Sequence, residues 1–304
     1  MQGLTAKDKE LLDYLFDYCR HTTKQLAKAL HLPQQTISYK IKRLEEQNYI
    51  SRYDAILNWD LIPLTKKLYL FNTKKPGEII KKTIKKKPVH SIHENTGTYN
   101  IAIWCFFKNK KQIQEFEEQL PEHKAITIEK TIVSDFTHFG TEIKLRKPTM
   151  IPSKIKLDKK DISIIKHLSS GRARDSLLQI SKDLKISYDI THYRLKRLIR
   201  NGYFSRLMPQ TGKKLGGLRV TQAIFELKQL NESTIKKIKS LAFMAMGGYS
   251  EKFVYLHFMS ENHEDYLNKL ESLHEIFKEN LESTEILHWK ELHLANRYPL
   301  EYAL

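Results

Sequence analysis

Apolar residues recur near the start of the chain at helical spacing: Leu11, Leu12 and Leu15, then Leu26 and Leu30, then Ile37, Ile41 and Leu44. Steps of three and four put each set on one face of a helix, so three amphipathic helices are expected. Thr22 or Thr23 is placed to cap the second, "HLP" turns the chain, and the third runs from about Gln34 to Gln47. The pattern then returns. At a shift of 153 residues Leu4, Asp8, Leu11, Leu12 and Leu15 meet Leu157, Asp161, Ile164, Ile165 and Leu168. After one inserted residue the shift is 154, and Leu26, Leu30, Leu32, Ile41 and Leu44 meet Ile180, Leu184, Ile186, Leu195 and Leu198. Self-similarity on this scale implies a tandem, domain-sized repeat. Ser187 should cap the last helix of the second copy and Gly202 should end it. Thr191 stands where Ile37 stands, with Ile190 one position earlier, so this helix is expected to be rotated or less well packed.

Between and after these units the period changes from helical to alternating. Residues 65 to 139 read strand, helix, strand, strand, helix, strand: "TKKLYLFN", "GEIIKKTIKKK", "VHSIHE", "YNIAIWCFF", "KKQIQEFEEQL" and "AITIEKTIVSDFTHF". Residues 218 to 290 give the same order in "VTQAIFELK", "ESTIKKIKSL", "FMAMGG", "KFVYLHFM", "HEDYLNKLESLHEIF" and "STEILHWK". Strand pairs with helices on one face make an α+β sandwich. The two prolines of "RKPTMIPSK", at Arg146 to Lys154, mark a linker between the halves. The stretch "SRLMPQTGKKLGGLR" after the second set of helices reads as a basic hairpin or wing.

Charge favours a polyanionic partner. Lys and Arg number 52 against 35 acidic residues, for a net +17. The excess is uneven: residues 1 to 60 hold 9 basic and 8 acidic side chains, residues 151 to 220 hold 17 and 5, and residues 221 to 304 hold 9 and 13. In "KKPGEIIKKTIKKKP" seven lysines face one glutamate, and Ile79, Ile80 and Ile84 should pack while the lysines point outward. No window approaches the ~18 apolar residues of a membrane helix, and no signal-type leader is visible, so a cytoplasmic, nucleoid-associated protein is expected. Cys19 and Cys105 match no metal or redox spacing and are expected to be core thiols.

A short helix, a tight turn and a longer helix with a polar start form a helix-turn-helix pattern. With Ile37, Ile41 and Leu44 inward, the outer face of the third helix carries Gln35, Tyr39, Lys42 and Glu46, with Thr36 and Arg43 beside them. The second copy presents Asp189, Tyr193, Lys196 and Arg200, flanked by Arg197. Lys and Arg suit phosphate oxygens or guanine edges, Gln35 suits adenine, and Asp189 can accept from cytosine N4. Tyr39 and Tyr193 suit sugar, phosphate or a thymine methyl. Glu46 aligns with Arg200, so the copies should bind unequally, the second supplying most affinity.

A helix-turn-helix ending in "IKRLEEQNYIS", followed by a βαββαβ unit with "TGTYN" between its central strands, resembles the Lrp/AsnC family of feast/famine transcription regulators. The resemblance runs twice through the chain. The first copy carries "DKELLDYL", "QLAKALHLPQQTISYKIKRLEEQNYI" and Gly97; the second keeps "KDISIIKHL", "ISYDITHYRLKRLIRNGYFS" and a Gly247-Gly248 turn. It implies two winged helix-turn-helix DNA-binding domains, each followed by a ferredoxin-like βαββαβ regulatory domain of the RAM type. The corresponding ranges are 1–60, 61–147, a linker at 148–154, 155–210 and 211–304. It also implies binding to double-stranded DNA as a dimer-like unit, further homo-oligomer assembly through the βαββαβ domains, and a small amino-acid-like effector near the glycine turn. The matching effector positions are Gly97, Thr98 and Asn100 in one half and Gly247 and Gly248 in the other. Where the family often has an acidic residue after the turn, this chain has Asn100 and, in the second half, "SEKF".

Two other readings compete with this one. Siroheme decarboxylases resemble the same two-part architecture, but His90 with His93, and His288 with His293, lack the spacing of a zinc signature. No Gly-rich phosphate loop, paired-carboxylate motif or nucleophile elbow stands out, so no enzyme, no cofactor and no metal are expected. An architectural DNA binder is the third class.

Overall fold

A computed structural model describes residues 4–133, 153–211, 219–241, 243, 245–260 and 262–294. The chain begins with α1 (Ala6–Tyr18), α2 (Thr23–Leu30) and α3 (Gln34–Glu46), then β1 (Ile50–Leu57). There follow β2 (Thr65–Phe71), α4 (Pro76–Thr83), β3 (Val89–Gly97), β4 (Ile101–Phe107), α5 (Lys110–Glu117), β5 (Lys124–Ile128) and β6 (Lys130–Val133). The second half gives α6 (Lys159–Leu168), α7 (Leu177–Leu184), α8 (Tyr188–Arg200) and β7 (Phe204–Thr211), then β8 (Arg219–Leu227), α9 (Glu232–Lys239), β9 (Ala245–Tyr249), β10 (Phe253–Ser260), α10 (His263–Phe277) and β11 (Leu281–Leu294). The described residues group into two units, one from 4–61 with 153–211, the other from 62–133 with 219–294.

Local signals explain the helix ends. Thr5 and Thr22 close capping boxes with Asp8 and Gln25, and Asp158 does so with Asp161. His31 and Lys185 end α2 and α7 in left-handed conformations, φ 51° and 53°, which turns the chain into the next helix. Just after α3 and α8 the left-handed position recurs at Asn48 (φ 58°) and Gly202 (φ 70°). Thr191 does not rotate α8: it is fully buried, its hydroxyl donates to the Ser187 carbonyl at 2.9 Å, and Thr191, Leu195 and Leu198 fill the places of Ile37, Ile41 and Leu44. Ser187 is the N-cap of α8 but makes no side-chain capping bond.

The first unit contains a pairing the alternating pattern did not reveal. β1 runs antiparallel to β7, with Ile50 opposite Thr211, Tyr53 opposite Pro209, Asp54 opposite Met208, Ala55 opposite Leu207 and Leu57 opposite Phe204. At the shift of 154 residues Ile50 aligns with Phe204 and Leu57 with Thr211, so the pairing maps onto itself when the halves are exchanged, about the Asp54–Met208 pair. The expected basic hairpin is therefore, over Phe204–Thr211, a strand bonded to the other half; its residues 212–218 lie outside the described residues, as does the linker at 148–152.

The second unit is a nine-stranded sheet in the order β5-β2-β4-β3-β11-β8-β10-β9-β6. Four strands of each half run in the same relative order, β5-β2-β4-β3 and β11-β8-β10-β9, with β6 of the first half as the ninth, and the halves meet where β3 pairs with β11. The last predicted strand of the first half splits at Glu129: β5 pairs with β2, while β6 crosses to β9. On one side of the sheet, α4 and α5 cover Tyr69, Phe71, Ile92, Ile103 and Phe107, with Ile79 buried and Ile80 and Ile84 packed against the cluster, as the isoleucine spacing of the Lys-rich stretch predicts. A matching cluster of Phe225, Val254, Leu256 and Phe258 packs with Ile235, Ile238, Leu273 and Phe277 of α9 and α10. A third combines Leu68, Leu70, Ile126 and Ile128 with Ile224, Tyr255 and Leu287, joining the halves. Full burial of each such side chain contributes about 1.5–3 kcal/mol. Cys19 and Cys105 are buried thiols, and burial pushes Cys19 up to about 12.

Candidate nucleic-acid interface

The outer rows of α3 and α8 stand in solvent. Tyr39 and Tyr193 are 65% and 66% exposed, an unusual position for so much ring surface. Gln35, Lys42 and Glu46 on α3, and Asp189, Lys196 and Arg200 on α8, are exposed, while Thr36 is half-buried. A shallow open depression lined by Pro33, Gln34, Gln35 and Ser38 marks the start of α3, where Gln34 Nε2 donates to Thr23 Oγ1 at 3.0 Å and ties α3 to α2. The rows differ electrically. Lys42 Nζ lies 3.6 Å from Glu46, one helical turn on, so much of its charge is compensated; Arg200 in the Glu46 position adds a cation instead.

Arg43 and Arg197, expected beside the groove, are half-buried and bonded to the first helix of their unit. The Asp8 carboxylate is fully buried at the start of α1, where Lys40 Nζ donates to it at 2.8 Å and the Arg43 guanidinium bonds its other oxygen. In the second half Asp161 is equally buried; Arg197 Nη2 reaches it at 2.5 Å and Arg194 Nη1 at 3.0 Å, and Arg194 also bonds Asp158 at 2.7 Å. These ion pairs fix the roll of each third helix against the first. Burial works to raise the Asp8 carboxyl, but the Lys40 bond, the Thr5 hydroxyl and backbone bonds and the Lys40 charge outweigh it and hold it down to about 2. The signal missed in the sequence was an acid recurring within an apolar stripe.

The positions expected to hold an effector have structural duties. Gly97, at φ 128°, ends β3 where a Cβ would come within 2.3 Å of the Ile286 carbonyl oxygen. Thr98 is exposed. The Asn100 side chain pins the chain after β2, accepting from Thr73 N at 3.1 Å and donating to Thr73 O at 2.5 Å. Gly247 and Gly248 form no turn: they lie within β9, hydrogen-bonded between β10 and β6, and a Cβ on Gly247 would meet the Tyr255 carbonyl oxygen at 1.8 Å.

A separate polar cluster lies inside the nine-stranded sheet. The Gln222 amide lies 3.1 Å from His93 Nδ1, and His93 Nε2 faces Ser91 Oγ at 3.0 Å. Burial, then the neighbouring His257, His90 and His293, hold His93 well below its ordinary range. His257 keeps a partial opening to solvent yet is deep enough for burial to push it down to about 3. Trp289 lies against both rings, at 4.7 and 5.5 Å between centroids. Its Nε1, Asn95 Oδ1 and Gln222 Oε1 are buried with no hydrogen-bond partner among the described residues. Two further groups have metal-ligand chemistry, His167 with Asp175 and Asp183, and Glu94 with Glu291 and His293.

Residues 4–51 match the family described as winged helix-turn-helix DNA-binding. An uncharacterized HTH-type transcriptional regulator of Pyrococcus horikoshii is 30% identical over 116 residues, 37% of this chain and 78% of that protein. One of Pyrococcus abyssi is 31% identical over 116 residues, 37% of this chain and 79% of its own length. The chain belongs to the HTH-type transcriptional regulators. Its helix-turn-helix and βαββαβ order is Lrp/AsnC-like, and DNA is the partner such a regulator takes. No helix among the described residues is long and apolar enough to cross a membrane.

The structural comparison corrects the expectation that the chain is no enzyme. Over 98% of its length this regulator has the fold of the siroheme decarboxylase NirDL, with a TM-score of 0.61 at 11% identity and 96% of that chain covered. The same decarboxylase in complex with an iron-uroporphyrin III analogue gives 0.60 at 12% identity. An enzyme is thus built on this two-part architecture, and the lack of a sequence signature could not exclude one because the fold is kept at an identity too low to carry motifs.

Proposed function

We propose that the chain is a sequence-specific regulator of the Lrp/AsnC type that binds double-stranded DNA through two unequal modules, α1–α3 and α6–α8, acting as a pseudo-dimer within one polypeptide. One observation carries this reading: α3 and α8 present the same exposed tyrosine and lysine, Tyr39 with Lys42 and Tyr193 with Lys196, on units joined by the self-mapping β1–β7 pair. Gln35, Thr36 and Tyr39 on one side and Asp189 and Tyr193 on the other are the base and sugar contacts; Lys42, Lys196 and Arg200 meet phosphate. Arg43 and Arg197 set the roll of the helices. The second module supplies most of the affinity, because Arg200 adds a charge where Glu46 cancels one. The protein acts on nucleoid DNA in the cytoplasm, assembles further through its βαββαβ halves, and takes any amino-acid-like effector at Gly97, Thr98 and Asn100 rather than at the strand-bound Gly247 and Gly248.

Fluorescence anisotropy with duplex DNA at several salt concentrations tests this reading. Lys196→Glu should weaken binding and flatten the salt slope more than Lys42→Glu does; equal losses would remove the inequality. Absence of any salt-dependent duplex binding would remove the DNA reading, and full competition by unrelated duplex would turn it into an architectural one. The whole-length likeness to NirDL supports a second reading, tetrapyrrole chemistry. A Soret-type band shift when the pure protein meets an iron-porphyrin carboxylate would favour it, and an unchanged spectrum would dismiss it.

A further inference from the structure

Two groups of side chains bring carboxylates and an imidazole close enough to share one cation, and they differ in what already sits there. In the first, His167 Nε2 is 2.9 Å from Asp175 Oδ2. Arg172 Nε also meets that carboxylate at 2.8 Å, and its Nη2 bonds Asp183. A guanidinium therefore fills the cation's place. In the second, Glu94 on β3 stands directly opposite Glu291 on β11, beside the register irregularity between Trp289 and Glu291. Like charges directly opposed across an antiparallel pair are destabilising. Among the described residues no lysine or arginine pairs with either carboxylate; both face only His293, whose Nε2 lies 2.7 Å from Glu94 Oε1 and 4.0 Å from Glu291 Oε2. One ligand atom from each of the three lies within 4.8 Å of the others. Glu94 and His293 are mostly enclosed, whereas Glu291 is 61% exposed and gives the group an open side.

We propose that Glu94, Glu291 and His293 form a site for a divalent transition-metal ion of the Zn2+ type, with water completing its coordination, and that the ion clasps β3 to β11. One imidazole nitrogen with two carboxylates suits borderline cations, whereas Ca2+ and Mg2+ favour all-oxygen shells. Metal–ligand bonds of about 2.0–2.2 Å need ligand atoms roughly 3–4 Å apart, so the exposed Glu291 has only a short way to close. The ion takes the place of the His293–Glu94 contact and cancels the Glu94–Glu291 repulsion. Because β3 and β11 form the seam between the two halves of the sheet, loading would stiffen that seam. Only this regulatory consequence rests on the proposed function; binding of the ion does not.

The test titrates the metal-free full-length chain with Zn2+ by calorimetry, with Co2+ absorption as an independent signature of a mixed nitrogen and oxygen shell. One ion per chain with a micromolar Kd is expected, together with a rise in melting temperature. Glu94→Gln and His293→Ala should each weaken binding about ten-fold or more, and Asp175→Asn, in the arginine-filled group, should leave it unchanged. The exposed Glu291→Gln has no packing role and should weaken binding with unchanged circular dichroism, which keeps the test decisive if the other variants misfold. No saturable binding of one ion, or affinity unchanged in Glu291→Gln and His293→Ala, would overturn the site. Duplex binding measured in chelator is the separate readout of the regulatory reading, and its failure would leave the metal result standing.

Discussion

The two three-helix units hold their frames in the same way and spend their surfaces differently. In each, a buried aspartate, Asp8 or Asp161, gathers two basic side chains from the third helix and locks its roll. Outside that lock the sequences drift: Gln35 becomes Asp189, Ser38 becomes His192 and Glu46 becomes Arg200, while Tyr39 with Tyr193 and Lys42 with Lys196 persist. What stays alike is the ion-pair lock and the exposed tyrosine and lysine; what changes is the charge and hydrogen-bonding chemistry of the rest of the outer face.

The largest expected effect comes from breaking the lock. Asp8→Ala leaves Lys40 and Arg43 without their buried partner and removes half of a capping box, and should cost about 3 kcal/mol in a urea melt. Asp161→Ala should cost less, because Arg194 keeps Asp158. Acid reaches the same bond. The Asp8 carboxyl, held near 2 in the fold against 3.8 ordinarily, gives stability that is complete above about pH 4 and lost as pH falls toward 2. That amounts to roughly 2 kcal/mol, and an Asp8→Asn variant should show a flatter stability curve over this window. If its acid limb matches the wild type, the lock is not the acid-sensitive element.

Exchanging the divergent charges sharpens the comparison at about 1 kcal/mol. Glu46→Arg should tighten duplex binding several-fold and steepen the logarithmic salt slope by about 0.9, one added phosphate contact, and Arg200→Glu should do the reverse. A Glu46→Arg protein with an unchanged slope would mean that the end of α3 does not approach phosphate. The smallest effect concerns the turn after each third helix. Asn48→Gly should stabilise by about 0.5 kcal/mol and Gly202→Ala should cost about 1 kcal/mol, since both positions are left-handed and only one has glycine. Equilibrium denaturation reads both.

Helical faces were legible because Ile37, Ile41 and Leu44 report one angle, and their counterparts at a fixed shift repeat it. The same wheel put Arg43 and Arg197 next to the groove because it gives a direction but not the neighbour lying in it; Asp8 is 35 residues away from Arg43 in sequence. The succession of strands and helices along each βαββαβ half followed from alternation. The pairing of β1 with β7, the crossing of β6 to β9 and the meeting of Glu94 with His293 did not, since each joins segments far apart along the chain and alternation carries no address. Gly247 and Gly248 looked like a turn because glycine pairs usually are one; here they make room for a neighbouring carbonyl inside a sheet.

The β1–β7 pair also bears on how the protein behaves when scarce. Two separate subunits joined by such a strand pair come apart on dilution, and their activity then rises with the square of their concentration at low copy number. Here both strands belong to one polypeptide, so each meets its partner at a local concentration fixed by the connecting chain. The two halves should then stay together down to the lowest doses, with no threshold below which they part.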